Sequence, residues 1–123
     1  MGLNFEQAVG VHAAALKVRA DRTRILASNL ANEATPGYQA RDVDFRASLE
    51  RALSNDAFDT MLAFGDEAPK YRVPSRPSQD GNTVELGVEQ AAFSQNASDF
   101  HTSLTLLNMK IKGLKAAITG ETR

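Results

Sequence analysis

The 123-residue sequence contains no cysteine and no tryptophan, and its net charge is close to zero. Without cysteine, the chain has no disulfides, no thiol nucleophiles and no thiolate metal sites. With 14 basic and 15 acidic side chains, its overall charge does not favour a nucleic-acid partner. Aromatic residues make up only 7% of the sequence, too few for the stacking surfaces that bind single-stranded nucleic acid. Thiol chemistry and nucleic-acid binding are therefore set aside.

Long apolar runs are also missing. No stretch approaches the ~20 apolar residues that a membrane-spanning helix requires. The first thirty residues contain no basic segment followed by an apolar run, so we expect no conventional cleaved signal peptide. A chain of this length suits one folding unit.

The last third of the sequence carries apolar residues at alternating spacings of four and three, the heptad pattern of a helix with one narrow apolar seam. We call this set the C-terminal seam: Phe93, Ala97, Phe100, Leu104, Leu107, Ile111, Leu114 and Ile118. The pattern predicts a helix from about Val88 to Ile118. Gly113 inside it costs about 1 kcal/mol relative to alanine, which a helix of this length tolerates.

The first third shows a similar face that is richer in alanine. Its members are Val9, Ala13, Leu16, Ala20, Thr23, Ala27, Leu30 and Ala34, with Phe5, Ile25 and Leu26 widening it. Pro36 biases Thr35 towards an extended conformation, and Pro36-Gly37 suits the centre of a tight turn. This helix should therefore end near Ala34.

The middle region, residues 37–87, lacks the long heptad pattern of the two ends and contains three prolines. The spacing of Phe45, Leu49 and Leu53 predicts a short helix, whereas prolines 69, 74 and 77 allow only short or edge strands. The turn signal at residues 80–82 predicts a β-hairpin between Val73 and residues 83–86. The predicted fold is mainly α: long N- and C-terminal helices (residues 1–36 and 88–123) pack as a coiled-coil-like pair. With the irregular middle they form one domain.

Two helices cover only one stripe on each other, and the polar middle region is too broken by proline to wrap the rest. We therefore expect the helices to assemble with other chains, and the isolated monomer to have frayed ends. The expected assembly residues are Val9, Leu16, Leu26, Leu30, Phe93, Phe100, Leu104, Leu107, Ile111, Leu114 and Ile118.

Candidates for chemistry are weak. His12 and His101 lack a nearby ligand set, so no metal site is assigned. The carboxylates Asp42 and Asp44 are interpreted as part of a solvated loop. The basic residues of the first helix are interpreted as a solvated or subunit-bridging face: Lys17, Arg19, Arg22 and Arg24. We assign no catalytic residue and no cofactor, and we expect the protein not to be an enzyme.

The most informative stretch runs from Leu26 to Tyr38. Asn29 and Asn32 lie three residues apart near the end of the first helix. There their amides can either satisfy the last carbonyls of the helix or bridge to a neighbouring helix. From the residues alone, ordinary capping followed by a turn is the favoured interpretation.

The run Ser-Asn-Leu-Ala-Asn-x-x-Thr-Pro-Gly-Tyr, placed after an amphipathic helix, resembles the signature of the flagellar rod and hook proteins. The Gly-Asn-Thr-Val segment and the short middle region are similar to the proximal-rod members of that family. The resemblance covers nearly the whole chain. The residues that carry it are Ser28, Asn29, Asn32, Thr35, Pro36, Gly37, Tyr38, Gly81, Asn82, Thr83 and Val84.

The resemblance implies a structural subunit of the periplasmic rod, whose terminal helices build a torque-transmitting tube around an export channel. It implies export by the flagellar type III apparatus. The implied partners are its own copies, the rod proteins FlgC, FlgF and FlgG, the adaptor FliE and the export gate. Two alternatives remain: a cytoplasmic coiled-coil regulator or export chaperone that binds a helical partner, and a small hydrolase built on His101.

Overall fold

The computed structural model describes residues 5–54 and 69–120. It contains helices α1 (Phe5–Ala31), α2 (Phe45–Ser54) and α3 (Leu86–Thr119). Two short strands, β1 (Arg41–Asp42) and β2 (Lys70–Tyr71), pair antiparallel. The prediction of a mainly helical chain with two long terminal helices and a small antiparallel strand pair is confirmed.

Helices α1 and α3 pack side by side in opposite directions. Near one end of the pair Asn29 contacts Glu89, and further along Arg19 contacts Asp99. The 27 residues of α1 span about 40 Å and the 34 residues of α3 about 51 Å. The coiled-coil-like pair is therefore formed within one chain.

Local sequence sets the ends of the first two helices. The last helical residue of α1 is Ala31, and the Tyr38 amide donates to the Thr35 carbonyl at 3.3 Å across the expected Pro36-Gly37 turn. Asp44 caps α2, because its carboxylate accepts from the Ala47 amide at 3.1 Å. The short helix predicted around residues 45–53 is confirmed.

The predicted position of the β-hairpin is wrong. The strand partners are Arg41 with Tyr71 and Asp42 with Lys70, and residues 82–85 form no strand. The segment after the turn donates elsewhere: the Thr83 amide bonds to the Tyr38 carbonyl at 2.9 Å. Since these groups are already paired with the corner after α1, no ladder forms with the proline-interrupted residues 73–77.

The interior of the described part of the chain is unusually polar. Four apolar residues there are buried: Ala14, Val18, Leu26 and Ala40. Five polar residues are buried with them: Asn29, Ser48, Asn82, Glu89 and Asn96. Most buried polar groups in folded proteins are hydrogen-bonded, so these five positions specify geometry more than they supply apolar burial.

Candidate functional site

The end of α1 is capped from fifty residues away by Asn82. Its side-chain amide donates to the carbonyls of Asn32, Glu33 and Thr35 at 3.0, 2.7 and 2.8 Å. Its side-chain oxygen accepts from the Val84 amide at 2.8 Å. These carbonyls belong to the turn that follows Ala31, so this one side chain satisfies the corner and fixes it to the segment before α3.

Two glycines lie back to back where these segments meet. Gly37 and Gly81 have φ angles of 74° and 78°, in the left-handed region that favours glycine. The Gly37 amide donates to the Asp80 carbonyl at 3.0 Å, and a Cβ on Gly81 would lie 3.6 Å from the Gly37 Cα. The two stretches that carry the family resemblance are therefore in direct contact.

Asn29 links three elements of the fold through its side chain. It is fully buried, and its amide donates to the Arg41 carbonyl at 2.7 Å and to Glu89 Oε2 at 3.0 Å. Its oxygen accepts from the Arg41 amide at 3.1 Å and from the Tyr38 hydroxyl at 3.3 Å. All of its hydrogen-bonding capacity is used, so it holds α1, β1 and α3 together.

Asn29 and four charged groups form a hydrogen-bonded path whose two ends, Arg22 and Asn29, both lie on α1. We call this set the polar ring: Arg22, Asp42, Arg72, Glu89 and Asn29. Arg22 donates to Asp42 through two bonds of 2.8 and 3.0 Å. Arg72 donates to Asp42 at 2.6 Å and to Glu89 at 2.7 Å. Two cations and two anions balance within it, and Glu89 is fully buried.

The electrostatics of Asp42 follow from these contacts. Burial alone would raise its pKa, but hydrogen bonds from Arg22, the Val43 amide and Arg72 outweigh burial, so the pKa of Asp42 is lowered. The pKa of Arg22 is raised, chiefly by its hydrogen bonds to Asp42. The ring therefore favours the charged form of both groups.

A second polar layer lies further along the helix pair. The Asn96 amide donates to the Arg19 carbonyl at 2.9 Å and to the Thr23 hydroxyl at 2.8 Å. Arg19 pairs with Asp99 at 3.1 Å, and its guanidinium lies 4.0 Å from the centroid of the Phe45 ring. This layer joins α1, α2 and α3.

The C-terminal seam is only half covered. One line of residues at heptad spacing is half-buried: Phe93, Phe100, Leu107 and Leu114. In the other line Ala97 is half-buried, but Leu104, Ile111 and Ile118 are 37%, 39% and 71% exposed. We call these last three residues the exposed line. An apolar line of this length, left uncovered along a helix, is a candidate contact surface.

No family model matches the chain. A flagellar basal body rod protein FlgB from Cereibacter sphaeroides is 49% identical over 125 residues, which covers 95% of this chain and 98% of that protein. FlgB from Aeromonas hydrophila is 40% identical over 98% of this chain and 99% of its own length. FlgB from Salmonella typhimurium is 37% identical over 86% and 88%. The chain belongs to the FlgB family. It is a component of the flagellar basal body rod.

The FlgB motif residues expected from the sequence lie together at the corner. Asn32 caps α1, since its amide donates to the Ser28 carbonyl at 2.8 Å, whereas Asn29 bridges to α3. Both interpretations left open for this pair are therefore realised, one by each residue. Thr83 joins them, because its hydroxyl accepts from the Ala40 amide at 2.8 Å.

The expected assembly residues of this FlgB-family chain are distributed unevenly. On α1, Val9, Leu16 and Leu30 are half-buried. Leu26 is fully buried inside the chain, so the fold withholds it from a partner. On α3 the surface available to a partner is the exposed line, joined by Leu106 and Met109.

The sequence interpretation of three charged residues is wrong. Asp42 lies in the polar ring and not in a solvated loop, while Arg19 and Arg22 form ion pairs within the chain. Glu89 and Asn96 were missed altogether. Their signal was present: they lie one heptad apart on a helix whose neighbouring positions are apolar, which marks polar residues in a packed face.

Other features of the described residues add no chemistry. No helix within residues 5–54 and 69–120 is long and apolar enough to cross a membrane. In the same residues no three His, Asp or Glu side chains gather to hold a metal ion. His101 is exposed and meets the Phe100 ring edge-on.

Replacing Asn82 with alanine should destabilise this corner. The substitution leaves the carbonyls of Asn32, Glu33 and Thr35 without their side-chain donor, so we expect the free energy of unfolding to fall by about 1 to 3 kcal/mol. Urea denaturation followed by circular dichroism measures this. Gln79→Ala, at an exposed position of the same loop, should change stability by less than about 0.5 kcal/mol. Equal effects of both changes would contradict the capping role.

Proposed function

We propose that this chain is a non-enzymatic subunit of the proximal rod, which assembles through its terminal helices into a tubular axial structure. In that tube the helix pairs of successive subunits enclose the export channel and transmit torque. The neighbours are its own copies and the rod proteins FlgC, FlgF and FlgG, with FliE and the export gate at the base. The subunit reaches the periplasmic rod through the flagellar type III apparatus.

The half-covered seam is the observation that carries this proposal. Within the chain, α1 shelters one heptad line of α3 and leaves Leu104, Ile111 and Ile118 exposed. Fully burying a large aliphatic side chain contributes about 1.5 to 3 kcal/mol, so covering the exposed line favours association by several kcal/mol. A helix from a neighbouring subunit fits this line, because residues at heptad spacing are the ones that helices interdigitate.

The polar corner after α1 also supports this proposal, because it fixes the orientation of the middle region. Asn29, Asn82 and the two facing glycines fix the direction in which the middle region leaves α1. A subunit that repeats along a tube must present its surfaces at one fixed angle, since non-closing contacts propagate only when each copy is alike. The corner therefore positions the helix pair for assembly.

Ile111→Asp should block rod assembly and abolish motility while leaving export intact. A charge on the exposed line must be desolvated when a neighbouring helix covers it, at a cost of several kcal/mol. The variant replaces the native copy in cells; swarming reports motility, and fractionation shows whether the protein leaves the cytoplasm.

Thr102→Asp is the matched control, because it introduces the same charge at an exposed position about half a turn around α3 from Ile111. We expect it to preserve motility. Motile cells carrying Ile111→Asp would contradict a role of the exposed line in rod assembly. Loss of motility with both changes alike would also contradict it. A stable cytoplasmic complex with a helical partner, and no assembly into the rod, would favour the chaperone alternative.

A further inference from the structure

The apolar residues of α1 and α3 do not by themselves fix how the two helices are aligned along their length. The half-buried residues of both helices repeat at heptad spacing: Phe93, Phe100, Leu107 and Leu114 on α3, and Val9, Leu16, Thr23 and Leu30 on α1. Sliding α3 along α1 by one heptad therefore sets similar side chains against each other. Apolar repeats of this kind specify that helices pack, but they specify weakly which turn lies beside which.

We infer that the buried polar side chains of α3, Glu89 and Asn96, act as a register key that fixes the alignment of α1 and α3. They occupy the same heptad position on α3 and are 0% and 1% exposed. Their partners on α1 differ: Glu89 meets the Asn29 side chain, whereas Asn96 meets the Arg19 carbonyl and the Thr23 hydroxyl. A buried polar residue that finds its partner in one alignment alone is a known means of specifying register.

Slipping in either direction breaks these contacts. If α3 moves one heptad towards the start of α1, His12 and Leu16 take the places of Arg19 and Thr23 beside Asn96, so an apolar side chain replaces the hydroxyl acceptor. The Asn96 amide then loses the Thr23 hydroxyl in a buried position, which is unfavourable. Glu89 leaves Asn29 for Arg22, whose guanidinium is already bonded to Asp42. If α3 moves the other way, Glu89 passes beyond Ala31 at the end of α1 and leaves Asn29 without it.

The polar ring adds a second connection between α1 and α3, which runs through residues outside both helices. Arg22 holds Asp42 of β1, Asp42 holds Arg72, and Arg72 holds Glu89 of α3. Arg22 and Asn29 lie one heptad apart on α1, so the ring ties α3 to two points about two turns apart on α1, one of them through Arg72 and Asp42. Any slip must open this path between balanced charges.

The chain lacks cysteine, so spin labels can be placed without further changes. Arg24→Cys and Lys112→Cys put one label on an exposed position of each helix. A slip of one heptad changes the distance between the labels by about 10 Å, which pulsed electron paramagnetic resonance resolves. The labelled parent should give one population of distances.

The test combines Glu89→Leu with Asn96→Leu in the labelled full-length protein. We expect the pair to remain helical and a second distance population to appear, displaced by about 10 Å from that of the parent. Gln90→Leu with Thr102→Leu adds the same apolar content at exposed positions of α3 and should keep one population. A single population at the parent distance in the Glu89/Asn96 variant would overturn the inference.

If the double variant loses helix, the same distance measurement is made on Asn96→Leu alone. A second population then supports the key, and a single parental population overturns it. The inference concerns one chain and does not rest on assembly into a rod. Its failure would therefore leave the proposed function standing, and failure of the motility experiment would leave the key standing.

Discussion

Glu89→Ala should lower the free energy of unfolding by about 3 kcal/mol, the lower end of the range for breaking a buried ion pair. Glu89 is fully buried and accepts from Arg72 at 2.7 Å and from Asn29 at 3.0 Å. Removing it leaves a fully buried amide and a largely buried guanidinium with one acceptor fewer each. Arg72 keeps Asp42, which moderates the loss. Urea denaturation monitored by circular dichroism at pH 7 gives the value.

Two variants control that measurement. Glu89→Gln keeps an oxygen acceptor in the same place and should be less damaging than alanine. Glu50→Ala removes a glutamate of an exposed i, i+4 pair with Arg46, where we expect a change below about 0.5 kcal/mol. If Glu89→Ala destabilises no more than Glu50→Ala, the polar ring does not hold the helices.

Replacing Asp42 with asparagine should destabilise the protein by about 2 to 3 kcal/mol at neutral pH, and the effect should shrink in acid. The variant keeps the shape of the side chain but removes the charge that receives bonds from Arg22 and Arg72. Because the fold lowers the pKa of Asp42, its stabilisation is complete above the ordinary aspartate pKa of about 3.9. It is lost as the pH falls through the lowered value.

The comparison isolates Asp42 from other carboxylates that titrate in acid. Hydrogen bonds from Ser78 and Ser75 also lower the pKa values of Asp80 and Glu85, respectively, so the parent loses stability in acid for more than one reason. The difference between parent and Asp42→Asn, followed from pH 7 to pH 3, removes those shared contributions. Asp21 lies a long 3.9 Å from Arg24, so the control variant Asp21→Asn should show little difference from the parent at any pH. A pH-independent difference for Asp42→Asn would contradict the assigned charge.

Sequence was sufficient for the features that local patterns encode. Heptad spacing predicted α1 and α3, and Pro36-Gly37 predicted the turn that follows α1, because each depends on residues within a few positions of one another. The family motif was also recognisable from the sequence, and the curated relatives confirm it. The exposed line could be anticipated as well, since two helices alone leave part of each seam uncovered.

The polar ring could not be derived in the same way. Arg22 and Asp42 are separated by 20 residues, Asp42 and Arg72 by 30, and Asn29 and Glu89 by 60. No local pattern brings such groups together. The packing of α1 against α3 brings Asn29 to Glu89, and the pairing of β1 with β2 brings Arg72 to Asp42. The misplaced hairpin has a similar cause, because Asn82 and Thr83 bind the distant corner in preference to their neighbours.

The polar interior and the exposed line are complementary features of the same helix pair. Buried amides and ion pairs hold the helix pair at one alignment, while much of the apolar seam that would normally stabilise such a pair remains at the surface. The central claim of the proposed function is that contacts between chains cover that seam.

The most direct test of that claim measures how accessible the seam is before and after assembly. With Ile111→Cys as the only cysteine in the protein, a maleimide reagent reports exposure of the exposed line. We predict fast labelling of the isolated subunit, strong protection in purified basal bodies from motile cells, and recovery of labelling when those basal bodies are dissociated. Equally fast labelling in the isolated subunit and the assembled rod would contradict the account.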